Sequence, residues 1–463
     1  MFSAPNHVNF LLTHQCNFMC NYCYVPFQSY SKELGMEQVI EIINLLYERG
    51  VFSLDLTGGE PLLREDITEI LKYCNDLDID VGLATNGVLL TKERIDTLAK
   101  VWDRKRTVHV SMDASTPEGF FQITGSKDFF KILDCTRALL EYDLDIIWNF
   151  VYTAGNKEDL IPVCKLASNL GVSKMFVLPV IQVGRALTSQ LSFKELQTFL
   201  LRFPEIEKQY PSIKFRVSPA TPLDFIVPLF EAEWDIQKVL KYYPYARTPL
   251  QDDKFKEIRS IGCIGGVGRW AVNAQGNVFP CELLTTDNRM KCGNLLEDPF
   301  GKCLDLCSSV MDVKLEEIGN CKSCKYAEIC GGGCRARAFM RYGSFYAPDP
   351  LCPFYSFDRT YTEKRIERYD KTKNKIQEFN WKAFSVKIGD TILRVRREVF
   401  GGTVYVPGHE QQIYLNKDGY AIFEIFQRTQ DRYEVIRELK RRKISIDEKS
   451  VCDFLDQSLE TFT

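Results

Sequence analysis

Three cysteines, Cys16, Cys20 and Cys23, follow the apolar run Val8 to Leu12 at the spacing CxxxCxxC. Cysteine thiolate is the soft ligand that iron-sulfur clusters need, and this spacing wraps one corner of a cubane and holds three of its irons. The fourth iron keeps no protein ligand, so the stretch reads as a reaction centre and not merely as an electron store. A structural zinc ion wants four ligands, and only His14 stands near to complete such a set; inert buried cysteines are the other alternative. One apolar run later comes Thr57-Gly58-Gly59-Glu60-Pro61. Two glycines let a ligand approach the backbone, and the carboxylate can accept hydrogen bonds from an ammonium group. A generic tight turn explains the same residues. The third and fourth runs end in Ala84-Thr85-Asn86-Gly87 and Ser111-Met112-Asp113, short polar side chains that either meet a ligand or cap turns.

The cysteine spacing, with Tyr22 before its last member, and the Gly-Gly-Glu-Pro turn one strand on resemble the radical S-adenosylmethionine (SAM) superfamily. The resemblance implies a 4Fe-4S cluster on Cys16, Cys20 and Cys23 that chelates SAM and cleaves it to methionine and a hydrogen-abstracting 5'-deoxyadenosyl radical. It places Tyr22, Gly58, Gly59, Glu60 and Pro61 at the cofactor, with Glu60 on the SAM amino group. Asn86, Ser111 and Asp113 match strand ends that meet the ribose and carboxylate in relatives. Val183-Gly184-Arg185-Ala186 matches a segment near the adenosine, with Arg185 as its contact. No catalytic acid or base is assigned, because radical abstraction need not employ one.

A second constellation begins at Cys263, followed by twelve residues, Gly276, four residues and Cys281, then Cys321-x2-Cys324-x5-Cys330-x3-Cys334 and Cys352. Seven cysteines in this order resemble the SPASM auxiliary-cluster domain. The resemblance implies a distal cubane on Cys321, Cys324, Cys330 and Cys352, and one nearer the barrel on Cys263, Cys281 and Cys334, for three 4Fe-4S clusters in all. Some relatives supply an eighth cysteine shortly before the first, but residues 250–262 contain none. The nearer cluster then either keeps an open iron, able to ligate a substrate thiolate, or takes Cys292. Cys303 and Cys307, one helical turn apart, and the single Cys74, Cys135, Cys164 and Cys452 read as small buried apolar residues.

The elements that must position these groups are strand-like runs at Val8 to Leu12, Phe52 to Leu56, Val81 to Ala84, Val108 to Met112, Ile146 to Tyr152 and Met175 to Ile181. Helical patterns near 36–49, 65–74, 91–100, 129–142 and 157–170 separate them. Alternation of this kind indicates an α/β fold with a parallel sheet, a partial (β/α)6 TIM-like barrel, whose chemistry gathers at the carboxyl ends of the strands. The expected division is a barrel over 1–240, a connecting segment over 241–262, the auxiliary-cluster domain over 263–356, a charged linker helix over 357–383 and a small module over 384–463.

The chain has 463 residues, 45% hydrophobic and 26% charged, with a net charge of -3, which gives no reason to expect a polyanion or membrane partner. Its 17 cysteines cluster at metal-ligand spacings without a signal peptide, so clusters are expected rather than disulfides, in a cytoplasmic protein.

Beyond 384 the pattern changes to short strands at Phe384 to Ile388, Ile392 to Val395 and Thr403 to Val406, followed by Ile413-Tyr414-Leu415-Asn416. Three helices then follow, set by Ala421, Ile422, Ile425 and Phe426, by Val435, Ile436 and Leu439, and by Val451, Phe454, Leu455 and Leu459. Strands followed by a helical triplet describe a winged-helix-like α+β module. Residues 384–463 carry 13 Lys plus Arg and 13 Asp plus Glu, a balance that counts against phosphate binding and hence nucleic acid. Gly401-Gly402 and Leu415-Asn416 followed by Gly419-Tyr420-Ala421-Ile422-Phe423 make the module similar to the peptide chaperone of pyrroloquinoline quinone biosynthesis. That chaperone is the prototype of the recognition elements for ribosomally made, modified peptides. The resemblance implies leader-peptide capture by strand addition, with Thr403, Val404, Tyr405 and Val406 as the strand bordering the groove. The whole chain therefore reads as a maturase of a ribosomal precursor peptide, served by an electron donor such as flavodoxin or ferredoxin. It is expected to join a cysteine sulfur to carbon as a thioether. Carbon-carbon or carbon-oxygen crosslinking, epimerisation, and an iron-sulfur sensor with a winged-helix reader are the alternatives.

Overall fold

The computed structural model describes residues 2–25, 32–102, 106–142, 144–188, 191–244, 246, 253–319, 321–355, 383–388, 391–408, 411–442, 444 and 446–462. Six parallel strands form where the apolar runs predict them: β1 His7–Thr13, β2 Ser53–Gly58, β3 Asp80–Thr85, β4 Arg106–Ser111, β5 Asp145–Tyr152 and β6 Lys174–Pro179. The helices between them are α1 Met36–Glu48, α2 Ile67–Asn75, α3 Lys92–Val101, α4 Pro117–Thr124, α5 Phe129–Leu140 and α6 Leu160–Leu170. In α1 the buried residues are Val39, Ile42, Ile43 and Leu46, the three-and-four spacing that turns one apolar stripe onto the sheet. Thr116 caps α4 from its side chain with Pro117 at the first helical position, and a left-handed Gly125 ends it.

A seventh parallel strand, β7 Lys214–Val217, follows helix α7 Phe193–Gln209. The sequence hid it because Lys214 and Arg216, lining the barrel interior, break the apolar run. Beyond the connecting segment, β8 Arg269–Val272 pairs parallel with β1, and β9 Asn277–Phe279 and β10 Gly293–Asn294 continue antiparallel. One sheet of order β10-β9-β8-β1-β2-β3-β4-β5-β6-β7 thus crosses the boundary that the sequence placed between two domains. The expected linker helix lies almost wholly outside the described residues.

The last module is a four-stranded antiparallel meander, β11 Ala383–Ile388, β12 Thr391–Glu398, β13 Gly401–Val406 and β14 Gln411–Asn416. Helices Lys417–Thr429, Arg432–Arg441 and Glu448–Phe462 follow it. Here the sequence reading needs correction. Thr403 to Val406 is not a groove-bordering edge: Val404 pairs with Val395 on one side and Ile413 on the other, so its backbone groups are already taken. Strand order is a tertiary property, and Ile413 to Asn416 belongs to a fourth strand, β14, which is one of the sheet's two edges, with β11 the other.

One face of this small sheet, with Val386, Leu393, Val404 and Leu415, packs on Tyr420 and Phe423 of the first helix. The other face sits on the feet of β1, β2 and β3. Fully buried Arg396 donates to Pro5 O (2.9 Å), Gly50 O (3.1 Å), Asn6 Oδ1 (2.6 Å) and Glu398 Oε1 (2.7 Å), which satisfies the cost of hiding its charge. Tyr405 stacks on Phe52 at 5.0 Å and donates to Asp80 (2.5 Å), and Asn6 Nδ2 donates to Gln412 (2.6 Å).

Candidate functional site

The barrel encloses a cavity of about 1330 Å³ that runs from the carboxyl ends of the strands down to their feet. Cys16, Cys20, Tyr22, Cys23, Gly58, Gly59, Asn86, Ser111, Asp113 and Arg185 all line it, so the residues the sequence assigns to the SAM site gather around it, with two exceptions described below. The loop carrying the cysteines leaves β1 and is tied to the end of α4 by Met19 N to Thr124 O (2.8 Å) and Asn21 N to Ile123 O (2.9 Å). Phe18 fixes it from below, edge-on to Phe120 at 5.8 Å. Arg185 holds the far side, donating from Nε to Cys20 O (2.8 Å) and from its backbone to Cys23 O (3.1 Å). Its guanidinium therefore orients the cysteine loop as well as facing the cavity.

The Gly-Gly turn is required by its neighbours. A Cβ on Gly58 would lie 2.3 Å from Thr13 O and one on Gly59 2.1 Å from Gln15 O, backbone atoms that cannot give way. Glu60 and Pro61 stand behind this turn and do not line the cavity. Glu60, read from the sequence as a direct contact to the SAM amino group, accepts from Leu62 N (3.1 Å), Thr85 Oγ1 (2.8 Å) and Asn86 N (2.7 Å). Burial pushes its carboxyl up to about 7 against the pull of those donors. It pins β2 to β3 and so sets the turn that faces the cavity. Asn86 passes the connection on, donating to Asn17 Oδ1 (2.7 Å) inside the cysteine loop. Asp113 accepts from Tyr22 Oη (2.5 Å) and Val151 N (2.7 Å), and burial raises it to about 6 while the Tyr22 hydrogen bond opposes.

Among the described residues no three His, Cys, Asp or Glu side chains converge as a single bound ion would need. Cys16, Cys20 and Cys23 instead stand around the open end of a large cavity, the arrangement a polynuclear cluster needs if one of its corners is to meet a small molecule.

A second cysteine set behaves differently. Cys321, Cys324, Cys330 and Cys352 surround a cavity of only about 20 Å³ with Leu223 and Val227. Cys263, Cys281 and Cys334 are mutual neighbours. Cys292, in contrast, is buried, its thiol on Met290 O at 3.5 Å, and its partners are Cys303 and Cys307. Asp349 joins the two sets, accepting from Cys334 N (2.6 Å) and from Arg337 (2.7 and 2.6 Å), while Arg337 also reaches Asp224 (2.7 Å).

Sequence reasoning missed the polar walls of the lumen below the cluster end. Asn9 donates to Glu282 (3.1 Å), Arg269 pairs with Glu282 (3.3 Å), and His7 faces Asp55 (3.5 Å). Lys174 pairs with Asp145 (2.5 Å). The signal was present: polar residues alternate along β2 (Ser53, Asp55, Thr57) and β4 (Thr107, His109, Ser111) and at the start of β1 (His7, Asn9) inside otherwise apolar strands, the period of one sheet face.

A family profile for the Radical SAM superfamily matches residues 10–167. The chain is 29% identical over 358 residues to an AdoMet-dependent heme synthase of Methanosarcina barkeri, covering 76% of this chain and 97% of that one. It is 25% identical over 362 residues to a PqqA peptide cyclase of Bradyrhizobium diazoefficiens, covering 76% and 87%. A probable GTP 3',8-cyclase of Saccharolobus islandicus is 30% identical over 225 residues, covering 47% of this chain and 71% of that one. Among solved structures, Streptococcus suis SuiB bound to precursor peptide SuiA superposes with a TM-score of 0.61 at 19% identity, covering 76% of each chain. The chain belongs to the radical SAM superfamily. That membership implies a 4Fe-4S cluster and SAM, and the three half-buried cysteines at the cavity's open end fit both. No helix among the described residues is long and apolar enough to cross a membrane.

Proposed function

We propose that this enzyme modifies a ribosomally made precursor peptide, and that the likeness to the PqqA peptide cyclase extends to substrate class. When bound, the cluster and SAM supply the radical that removes a hydrogen atom from the substrate. The chain's residues do the rest. Cys16, Cys20 and Cys23 ligate; the Gly58-Gly59 backbone, held by Glu60, receives the methionine part of SAM. Tyr22, Asn86, Ser111 and Asp113 line the rest of the cofactor's site, and Arg185 keeps the loop in place.

The observation that carries the peptide reading is the C-terminal module, read as a winged-helix-like recognition element. The sheet edge at β14 is unpaired by any other described strand, and strand addition there would capture a leader. Capture raises the local concentration of the core peptide, so contacts near the reacting residue can be weak. Residues 263–356 form the SPASM domain in this reading, with auxiliary clusters on Cys321, Cys324, Cys330 and Cys352 and on Cys263, Cys281 and Cys334. Cys292, turned to Cys303 and Cys307, leaves the nearer set with three ligands, which favours a substrate thiol as the fourth and a thioether as product. A flavodoxin or ferredoxin supplies the electron.

Coexpression with the short open reading frames flanking its gene, followed by mass spectrometry, tests the proposal. A thioether removes two hydrogens and one free thiol per bond. Loss of two hydrogens with every thiol retained indicates a carbon-carbon or carbon-oxygen bond instead, and inverted residues at unchanged mass indicate epimerisation. The 29% identity across 97% of a heme synthase supports a second reading, a porphyrin-type substrate in the 1330 Å³ cavity. SAM consumption driven by such a macrocycle, with all flanking peptides unchanged, would select it.

A further inference from the structure

The leader-binding reading places capture at the foot of the barrel, whereas the cluster sits at its head. We infer that the core peptide enters the lumen from the foot, threading upward from the β14 edge past Glu282 to the cluster. This inference rests on β14 being the leader's edge. The lumen is continuous between the two ends: one cavity is lined by Cys16 and Asp113 above and by Tyr405, Gly408, Gln412 and Tyr414 of the module below. The module's residues thus reach the floor of the lumen.

Chain direction gives the second argument. The module is an antiparallel meander, and an added strand that continues the alternation runs opposite to β14, from beside Asn416 toward beside Gln411. Its carboxyl end therefore emerges at the hairpin end of β13 and β14. There Gly408 N donates to Asp80 at the foot of β3 (2.9 Å), and Gln412 accepts from Asn6 just below β1 (2.6 Å). A leader precedes its core, so this orientation delivers the core to the lumen floor. A parallel addition would release it at the Asn416 end, which leads into the following helix and does not line the lumen. β1 spans seven residues from foot to head. At about 3.3 Å per extended residue, about six to eight peptide residues must separate the last residue paired on β14 from the one that reacts. On the way the chain passes Glu282, which lines the lumen next in sequence to buried Cys281 of the nearer auxiliary set.

The test uses the reconstituted holoenzyme and, as probe, a peptide selected on it by mRNA display from a random 30-residue library. Proline variants Ile413→Pro and Tyr414→Pro are made in parallel. N–H groups alternate along an edge strand, so the variant with the outward N–H keeps the melting temperature of the parent. That variant should weaken peptide binding at least tenfold. Benzophenone side chains are then placed at Lys214, which begins β7 at the foot, and at Ser218, just past its head; both positions line the lumen. Capture at Lys214 of peptide residues amino-terminal to those captured at Ser218 is the expected result. Capture at Ser218 with nothing at Lys214, while the outward proline still weakens binding, overturns the route and leaves the leader edge standing. A selected peptide indifferent to the outward proline overturns the leader edge and the route together.

Discussion

The two cysteine groups are built from the same ligand and do different things with space. Cys16, Cys20 and Cys23 open on a cavity of about 1330 Å³ and are held by a loop stitched to α4, Asn86 and Arg185. Cys321, Cys324, Cys330 and Cys352 close around about 20 Å³, backed by Leu223 and Val227. Three ligands facing a large, partly polar cavity leave room for a reacting molecule. Four cysteines around a small, mostly apolar one leave none, which suits the electron-relay role proposed for that set. The protein invests its hydrogen bonds accordingly, in the turn and loop around the first set and in the buried Arg337–Asp349–Asp224 ion network behind the second.

The sharpest way to break this contrast is substitution. Cys16→Ala removes a ligand from the open set, and reductive SAM cleavage should fall at least about 1000-fold. If the closed set holds one of three clusters, as proposed, Cys330→Ala should remove about a third of the iron yet leave SAM cleavage within about twofold, since that cleavage occurs at the other group. Equal losses of SAM cleavage in the two variants, by chromatographic assay of methionine, would erase the distinction.

The pH dependence of stability sharpens the picture of the turn. Glu60 has its carboxyl raised by burial from 4.5 to about 7. Between those values the folded chain keeps a proton that the unfolded chain has released, so stability present at low pH is lost as pH rises through about 7. The span amounts to about 3 kcal/mol at most. Glu60→Gln should flatten that slope in melting curves taken from pH 5 to 8, and an unchanged slope would place its origin elsewhere. Smallest of all, Tyr22→Phe leaves buried Asp113 one donor short, a loss of about 1–2 kcal/mol. SAM affinity should weaken about tenfold, measured by calorimetry on the reconstituted enzyme. No change would make the Tyr22–Asp113 contact incidental.

Much of the head of the barrel was legible from residues alone. Six strands, the cysteine loop, the Gly-Gly turn and the polar strand ends fell together because each is local: a ligand spacing, a turn chemistry, a period of two or 3.6. Glu60 illustrates where legibility ends. Its neighbours in sequence mark it as a contact, but Thr85 and Asn86, a strand away, claim its oxygens. β7 was hidden because a strand facing a polar lumen carries charge where a core strand carries apolar residues.

At the foot, the sequence alone determined that a module of strands and three helices exists and that its charge is balanced. Only tertiary structure decided which of its strands are edges, that its polar sheet face rests on β1, β2 and β3, and that its residues line the floor of the lumen. Ligand spacing and helix caps are written within a few residues, whereas an edge is defined by what fails to pair with it. A cavity, likewise, is defined by walls drawn from strands over 200 residues apart, as His7 and Lys214 are here.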